Sequence, residues 1–133
     1  MLKEPKTGKA HRPLKILVVE DNDFLRQIFD TTLKPEHRIS AAANATEGWR
    51  LYREDDPDLV FLDISLPDGN GHDLARRIKE ESPETYVVMA TASADADDKE
   101  EASFNHVDGY LTKPFGKKSI DAIIDRYWVR KRN

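Results

Sequence analysis

Four polar positions each stand directly after an apolar run. Glu20-Asp21 follow Ile16-Leu17-Val18-Val19, and Asp63 follows Leu59-Val60-Phe61-Leu62. Thr91 follows Val87-Val88-Met89-Ala90, and Lys113 ends Tyr110-Leu111-Thr112. If the runs are parallel strands, all five side chains share one edge of the sheet. Three carboxylates crowded there repel one another and are costly to ionise together unless a cation compensates. A magnesium ion suits such a place, since it takes hard oxygen ligands, typically one or two carboxylates with waters and a phosphate oxygen. Asp63 is then placed to attack phosphorus and form an acyl phosphate. The Lys113 ammonium and the metal would stabilise the oxygens that gain charge, and Thr91 would add a hydroxyl donor.

The elements that must position these residues repeat along the chain. Leu14 to Val19 is a β-branched-rich strand, the polar Glu20-Asp21-Asn22 breaks it, and Phe24, Leu25, Ile28 and Phe29 recur at helical spacing. Arg38 to Ala43 predicts a second strand, and Thr46 is the expected cap of a helix that carries Trp49 and Tyr52 and is ended by Glu54-Asp55-Asp56-Pro57. The continuous run Leu59 to Leu62 suits a central strand covered on both faces. The segment Leu66-Pro67-Asp68-Gly69-Asn70-Gly71 is dense in turn residues, and the helix marked by Leu74, Ala75 and Ile78 should stop before Pro83. Thr85 to Ala90 and Asp108 to Thr112 predict the last two strands, with a helix of weak apolar face over 97–106 between them. Ile120, Ile123, Ile124, Tyr127 and Trp128 give a final amphipathic helix.

Five strands alternating with five helices predict an α/β fold: an open five-stranded parallel sheet with helices on both faces, doubly wound in the flavodoxin-like (βα)5 manner. In such sheets the ligand site lies outside the C-terminal strand ends, where the strand order reverses. The expected organisation is a flexible leader over 1–13, one domain over 14–129, and a basic tail over 130–133.

Composition narrows the possibilities. The chain has 133 residues, 38% of them apolar and 35% charged, which fits one well-solvated domain with its own core. No run approaches the roughly 20 apolar residues of a membrane span, and no secretory signal is evident, so a soluble cytoplasmic protein without membrane partners is expected. The absence of cysteine removes disulfides, thiolate metal sites and cysteine nucleophiles. The net charge of −4 hides an uneven distribution: residues 16–125 hold 12 basic and 24 acidic groups. That body would repel a phosphate backbone, so direct nucleic-acid binding is not expected.

The segments Val18-Val19-Glu20-Asp21-Asn22, Leu62-Asp63 through Gly71, Ala90-Thr91-Ala92 and Tyr110-Leu111-Thr112-Lys113-Pro114-Phe115, taken in this order, resemble the receiver domain of two-component response regulators. The resemblance implies that Asp63 is the phosphoacceptor, charged by a phosphohistidine of a sensor histidine kinase or histidine phosphotransfer protein. It implies a Mg2+ site formed by Glu20, Asp21, Asp63 and the backbone carbonyl of Ser65. Lys113 is similar to the lysine that contacts the phosphoryl group, Thr91 to the hydroxyl residue that moves toward it, and Tyr110 to an aromatic switch that follows. A cis Lys113-Pro114 bond is implied as well. Glu20 stands where many relatives have Asp, so its longer side chain is expected to place a water between carboxylate and metal. Ser65 and Ser93 resemble positions that tune phosphoryl lifetime, and their small side chains would leave a hydrolysing water unshielded. Asn105 would replace the usual glycine cap of the fourth helix. By the same resemblance Leu25 and Ile28 would contact the kinase, and the fourth helix, fifth strand and fifth helix would face an output protein.

Each residue also has an ordinary structural reading. Glu20 and Asp21 could cap the first helix, Lys113 could be a strand-end lysine, and Tyr110 plain packing. Gly69-Asn70-Gly71 is not a dinucleotide fingerprint, because Leu74 stands at the third glycine position. A small aspartyl-phosphate phosphohydrolase would place a second acid two residues after its nucleophile, where this chain has Ser65. The reading is therefore a phosphorylation-dependent signalling module that modifies only itself, rather than an enzyme with turnover. It stands alone as a monomer or a phosphorylation-dependent dimer, or else it is the receiver piece of a longer transcriptional regulator or hybrid histidine kinase.

Overall fold

The computed structural model describes residues 11–92 and 107–132. In chain order the elements are β1 (Lys15–Val19), α1 (Asp23–Leu33), β2 (Arg38–Ala42), α2 (Ala45–Asp55), β3 (Leu59–Asp63), β4 (Ser65–Leu66), β5 (Gly69–Asn70), α3 (Gly71–Glu81), β6 (Tyr86–Thr91), β7 (Gly109–Thr112) and α4 (Lys117–Arg132). The helix expected over 97–106, with its Asn105 cap, and the lifetime position Ser93 lie outside the described residues.

Five strands form one parallel sheet in the order β2-β1-β3-β6-β7. The order turns back between β1 and β3, so the loops after these two strands diverge and open a crevice at their C-terminal ends. Strand periodicity then sorts the core into two layers. Ile16, Val18, Leu59, Phe61 and Val88 face Phe29, Leu33, Ile120, Ile123 and Tyr127 of α1 and α4. Leu17, Val19, Val60, Leu62 and Met89 face Tyr52, Leu74, Ala75 and Ile78 of α2 and α3. β3 is buried along its whole length, as a strand covered on both faces must be.

Two boundaries differ from the sequence reading. Thr46 is not the cap of α2: Asn44, with an extended backbone, accepts from the Glu47 N–H at 2.8 Å, two residues earlier than the apolar pattern marks. The turn-rich segment after Asp63 also contains a small antiparallel ladder, Ser65 with Asn70 and Leu66 with Gly69.

The ends of the described chain are packed. Arg12 forms a two-pronged pair with Asp58 at 3.0 and 3.1 Å, and the His11 ring stacks on Trp128 with centroids 3.9 Å apart. α4 runs through Arg132, past the expected start of a tail, and Arg130 reaches Asp108 at 2.9 Å. At the N-terminal edge of β6, Lys79 donates to the Pro83 and Thr85 carbonyls and to Asp108 Oδ2 at 2.8 Å. The same Asp108 oxygen accepts from the Val87 N–H, which ties α3, β6, β7 and α4 together at the edge opposite the carboxylates.

Candidate phosphoacceptor site

β1 and β3 end side by side, with Val19 paired to Leu62, and this delivers Glu20, Asp21 and Asp63 to one place. A carboxylate oxygen from each lies within 4.8 Å of the others. Glu20 is 1% exposed and Asp63 6%, whereas Asp21 is open to solvent. One Glu20 oxygen, Oε2, accepts from the Asn22 N–H at 3.1 Å. The other, Oε1, is buried and meets no hydrogen-bond donor among the described residues. Lys113 Nζ approaches it only to 3.5 Å, close enough for Coulomb attraction but not for a hydrogen bond. Burial, and then the charge of Asp63, hold the Glu20 carboxyl above its usual range, against the opposing pull of the Asn22 N–H and Lys113.

That donor set fits a hard divalent cation. It offers carboxylate oxygens only, one of them buried without a donor, and an exposed acid on the open side where waters can complete the coordination.

Lys113 arrives from the opposite side of Asp63. Its backbone N–H donates to the Thr91 carbonyl at 2.7 Å, the Lys113-Pro114 bond is cis, and Nζ donates to Asp63 Oδ1 at 3.1 Å. The same Asp63 oxygen faces the Ser65 N–H at 3.4 Å. Gly71 closes the site from below: its N–H donates to the Ile64 carbonyl at 2.7 Å, and a Cβ there would lie 2.1 Å from the Asp63 carbonyl oxygen. No residue but glycine fits that approach without moving the backbone.

The structure thus brings together Glu20, Asp21, Asp63, Lys113 and the Ser65 amide. Thr91 is buried at the end of β6, one residue beyond Ala90, the partner of Asp63 in the ladder. Tyr110 lies on β7 opposite Met89 and packs against the α2–α3 layer of the core. On α1, Leu25 and Ile28 are half-buried, packed against the core with part of each side chain at the surface, and Phe24, 69% exposed, is the large apolar side chain that α1 offers outward.

Two further residues shape the site without announcing themselves in the sequence reading. Arg26 Nη1 donates to the Glu20 carbonyl at 2.7 Å while its other nitrogen pairs with Asp23, bracing the loop that carries both acids. Its i,i+3 spacing from Asp23 was the available signal. Asp68 reaches from the loop after Asp63 to the N-terminus of α2. Nothing local marks that contact, because Asp68 before Gly69 reads only as a turn.

A doubly wound parallel sheet with an acidic, cation-ready pocket at its switch point and a lysine paired to the central aspartate defines a class of α/β proteins. Residues 16–125 match the model of the response regulator receiver domain, and the chain belongs to that family. It is 36% identical over 113 residues to the chemotaxis protein CheY of Halobacterium salinarum, covering 84% of this chain and 94% of that one. It is also 36% identical over 110 residues to the virulence transcriptional regulatory protein PhoP of Salmonella typhimurium, covering 82% of this chain but only 49% of PhoP. The chain therefore spans about half the length of the transcriptional regulators it matches. Among solved structures, the response regulator DrrB of Thermotoga maritima superposes with a TM-score of 0.82 at 29% identity, over 90% of this chain and 54% of DrrB. CheY4 of Vibrio cholerae shares the fold with a TM-score of 0.82 at 23% identity, over 86% of this chain and 98% of that one.

Proposed function

We propose that Asp63 accepts a phosphoryl group from a phosphohistidine, and that the acyl phosphate so formed changes which partner the domain binds. The observation that carries this reading is the Asp63 carboxylate, buried at a strand end and held at 3.1 Å by Lys113 beside two further acids. Mg2+, held by Glu20, Asp21, Asp63 and the Ser65 carbonyl, would supply positive charge for the phosphoryl oxygens. Asp63 contributes the attacking oxygen: a C–O–P linkage forms as the P–N bond to the donor imidazole breaks, and the imidazole leaves with the electron pair and takes up a proton. Lys113 supplies a fixed ammonium at the place where oxygen charge accumulates, and its pairing with Asp63 orients the carboxylate beforehand. Thr91 and Tyr110 are the residues through which the modification is read, in keeping with their places on β6 and β7.

Asp63 has no acid two residues later: Ser65 stands there and offers its backbone N–H to the carboxylate. This favours a self-modifying switch over a phosphohydrolase with turnover. The proposed domain covers 14–129, and its donor is a histidine kinase or histidine phosphotransfer protein. Among the described residues no helix is long and apolar enough to cross a membrane, which suits the cytoplasmic setting we propose.

Intact mass after incubation with magnesium and acetyl phosphate tests the reading. A single phosphoryl adduct is expected that needs the metal and disappears in Asp63→Asn. No adduct at short incubation times, or an adduct that survives Asp63→Asn, would overturn it.

A further inference from the structure

The loop that follows Asp63 is anchored outside itself. Asp68 Oδ1 accepts from the Ala45 N–H at 2.7 Å, and Oδ2 accepts from the Thr46 N–H at 2.9 Å and the Thr46 hydroxyl at 2.7 Å. Asn44 caps the next amide of the same helix, that of Glu47, from within its own chain segment. The first turn of α2 is thus capped twice, once locally and once by a residue more than twenty positions away. The Thr46 hydroxyl and then the two amides hold the Asp68 carboxylate well below its ordinary range, at about 2, so the clamp is charged at neutral pH.

What Asp68 anchors is a small rigid unit. Pro67 and Asp68 form the turn of the β4–β5 ladder, in which Leu66 pairs with Gly69 and Ser65 with Asn70. Asn70 in turn caps α3 by accepting from the His72 N–H at 2.7 Å, and Gly71 N–H closes onto the Ile64 carbonyl. The open end of this hairpin carries the Ser65 N–H, which faces Asp63 Oδ1 at 3.4 Å. A two-residue ladder on its own is only marginally stable in water. Its position over Asp63 therefore depends on where its turn is held, and Asp68 is the side chain at that turn that reaches another element.

We propose that Asp68 is a positioning residue for the chemistry at Asp63: by clamping the β4–β5 turn to the N-terminus of α2, it holds the Ser65 amide against the attacking carboxylate. The proposal rests on the phosphoacceptor reading of Asp63. An attacking group displaced by about 1 Å loses up to roughly a hundredfold in rate, and loosening one end of a short hairpin should cost part of that.

The test compares Asp68→Ala, Asp68→Asn and Asn44→Ala in the full chain. Adduct formation is followed by intact mass with acetyl phosphate at saturating magnesium. Asp68→Ala should lower the maximal rate about tenfold while the donor concentration for half-saturation stays unchanged, since only the geometry of attack is altered. Asp68→Asn keeps an acceptor for the α2 amides and should recover part of the rate. Asn44→Ala removes the other cap of the same helix end, so it should lower the melting temperature comparably yet keep the native rate. Equal slowing in Asp68→Ala and Asn44→Ala would reduce Asp68 to a stabiliser of α2, and a native rate in Asp68→Ala would overturn the proposal directly. Amide hydrogen exchange at Ser65 gives a readout independent of phosphorylation: it should quicken in Asp68→Ala and not in Asn44→Ala, and unchanged exchange would count against the clamp. Failure of the underlying reading shows separately, as the lack of any Asp63-dependent adduct in the native chain.

Discussion

Glu20 carries the sharpest electrostatic conflict at the carboxylate edge. Its Oε1 atom is buried, without a hydrogen-bond donor among the described residues, and shares the pocket with Asp63. Removing the charge while keeping the shape relieves that conflict, so Glu20→Gln should stabilise the metal-free domain by about 1 kcal/mol, or roughly 4 °C in a melt. A rise in melting temperature with magnesium is expected of the native chain, and the same variant should lose most of it. Thermal melts with and without the ion check both statements. Gly71 presents a steric conflict instead of an electrostatic one. A methyl group there would overlap the Asp63 carbonyl oxygen, and backbone on both sides leaves no flexible atom to give way. Gly71→Ala should therefore cost about 2–4 kcal/mol in urea unfolding and slow adduct formation as well, because the atoms that must move belong to Asp63 itself.

Among the elements, α2 takes one of its two N-terminal caps from another part of the chain. The Asp68 carboxylate titrates at about 2 in the fold against an ordinary 3.8, so protonation is harder folded than unfolded. The stabilisation it contributes is full above 3.8 and fades as the pH falls from there through 2. Native chain and Asp68→Asn should accordingly differ in urea midpoint near neutrality and converge across that acid window. Helices and strands with strong periodicity were legible from sequence: the runs at Ile16 to Val19 and Leu59 to Leu62, and the spacing of Ile120, Ile123 and Tyr127, report burial directly. The acids at the strand ends were legible for the same reason, since register follows once the strands are placed. The β4–β5 ladder was not, because two-residue strands leave no period to read. The Asp68 clamp and the Asn44 cap were missed because a turn aspartate and an asparagine before a helix look alike until their partners are known.

In the molecule as a whole, the two ends of the sheet are built for different work. The carboxylate edge keeps an acid with an oxygen that has no hydrogen-bond partner among the described residues, whereas the opposite edge satisfies its charges: Lys79 and Asp108, with side chains 12% and 7% exposed, bind one another and three backbone groups, and Arg130 adds a second cation. Breaking a buried pair strands the remaining charge, though Arg130 stays to offset it here, so Lys79→Met should destabilise the fold by about 2 kcal/mol. Because the pair sits at the far edge, adduct formation at Asp63 should continue at the native rate in the folded fraction. A matching loss of rate would show that the two edges are mechanically coupled.

The stack of His11 on Trp128 has an optical consequence. An imidazole lying 3.9 Å from an indole, nearly parallel to it, is well placed to quench the excited state. Of the two indoles in the chain, Trp49 is covered by the Arg77 guanidinium at 4.0 Å and sits on α2, away from that segment. Brightening of the emission on lifting residues 11–13 from α4 would therefore be a signal from Trp128 alone. The protein carries, without any added label, a lamp that reports whether its N-terminal segment is seated.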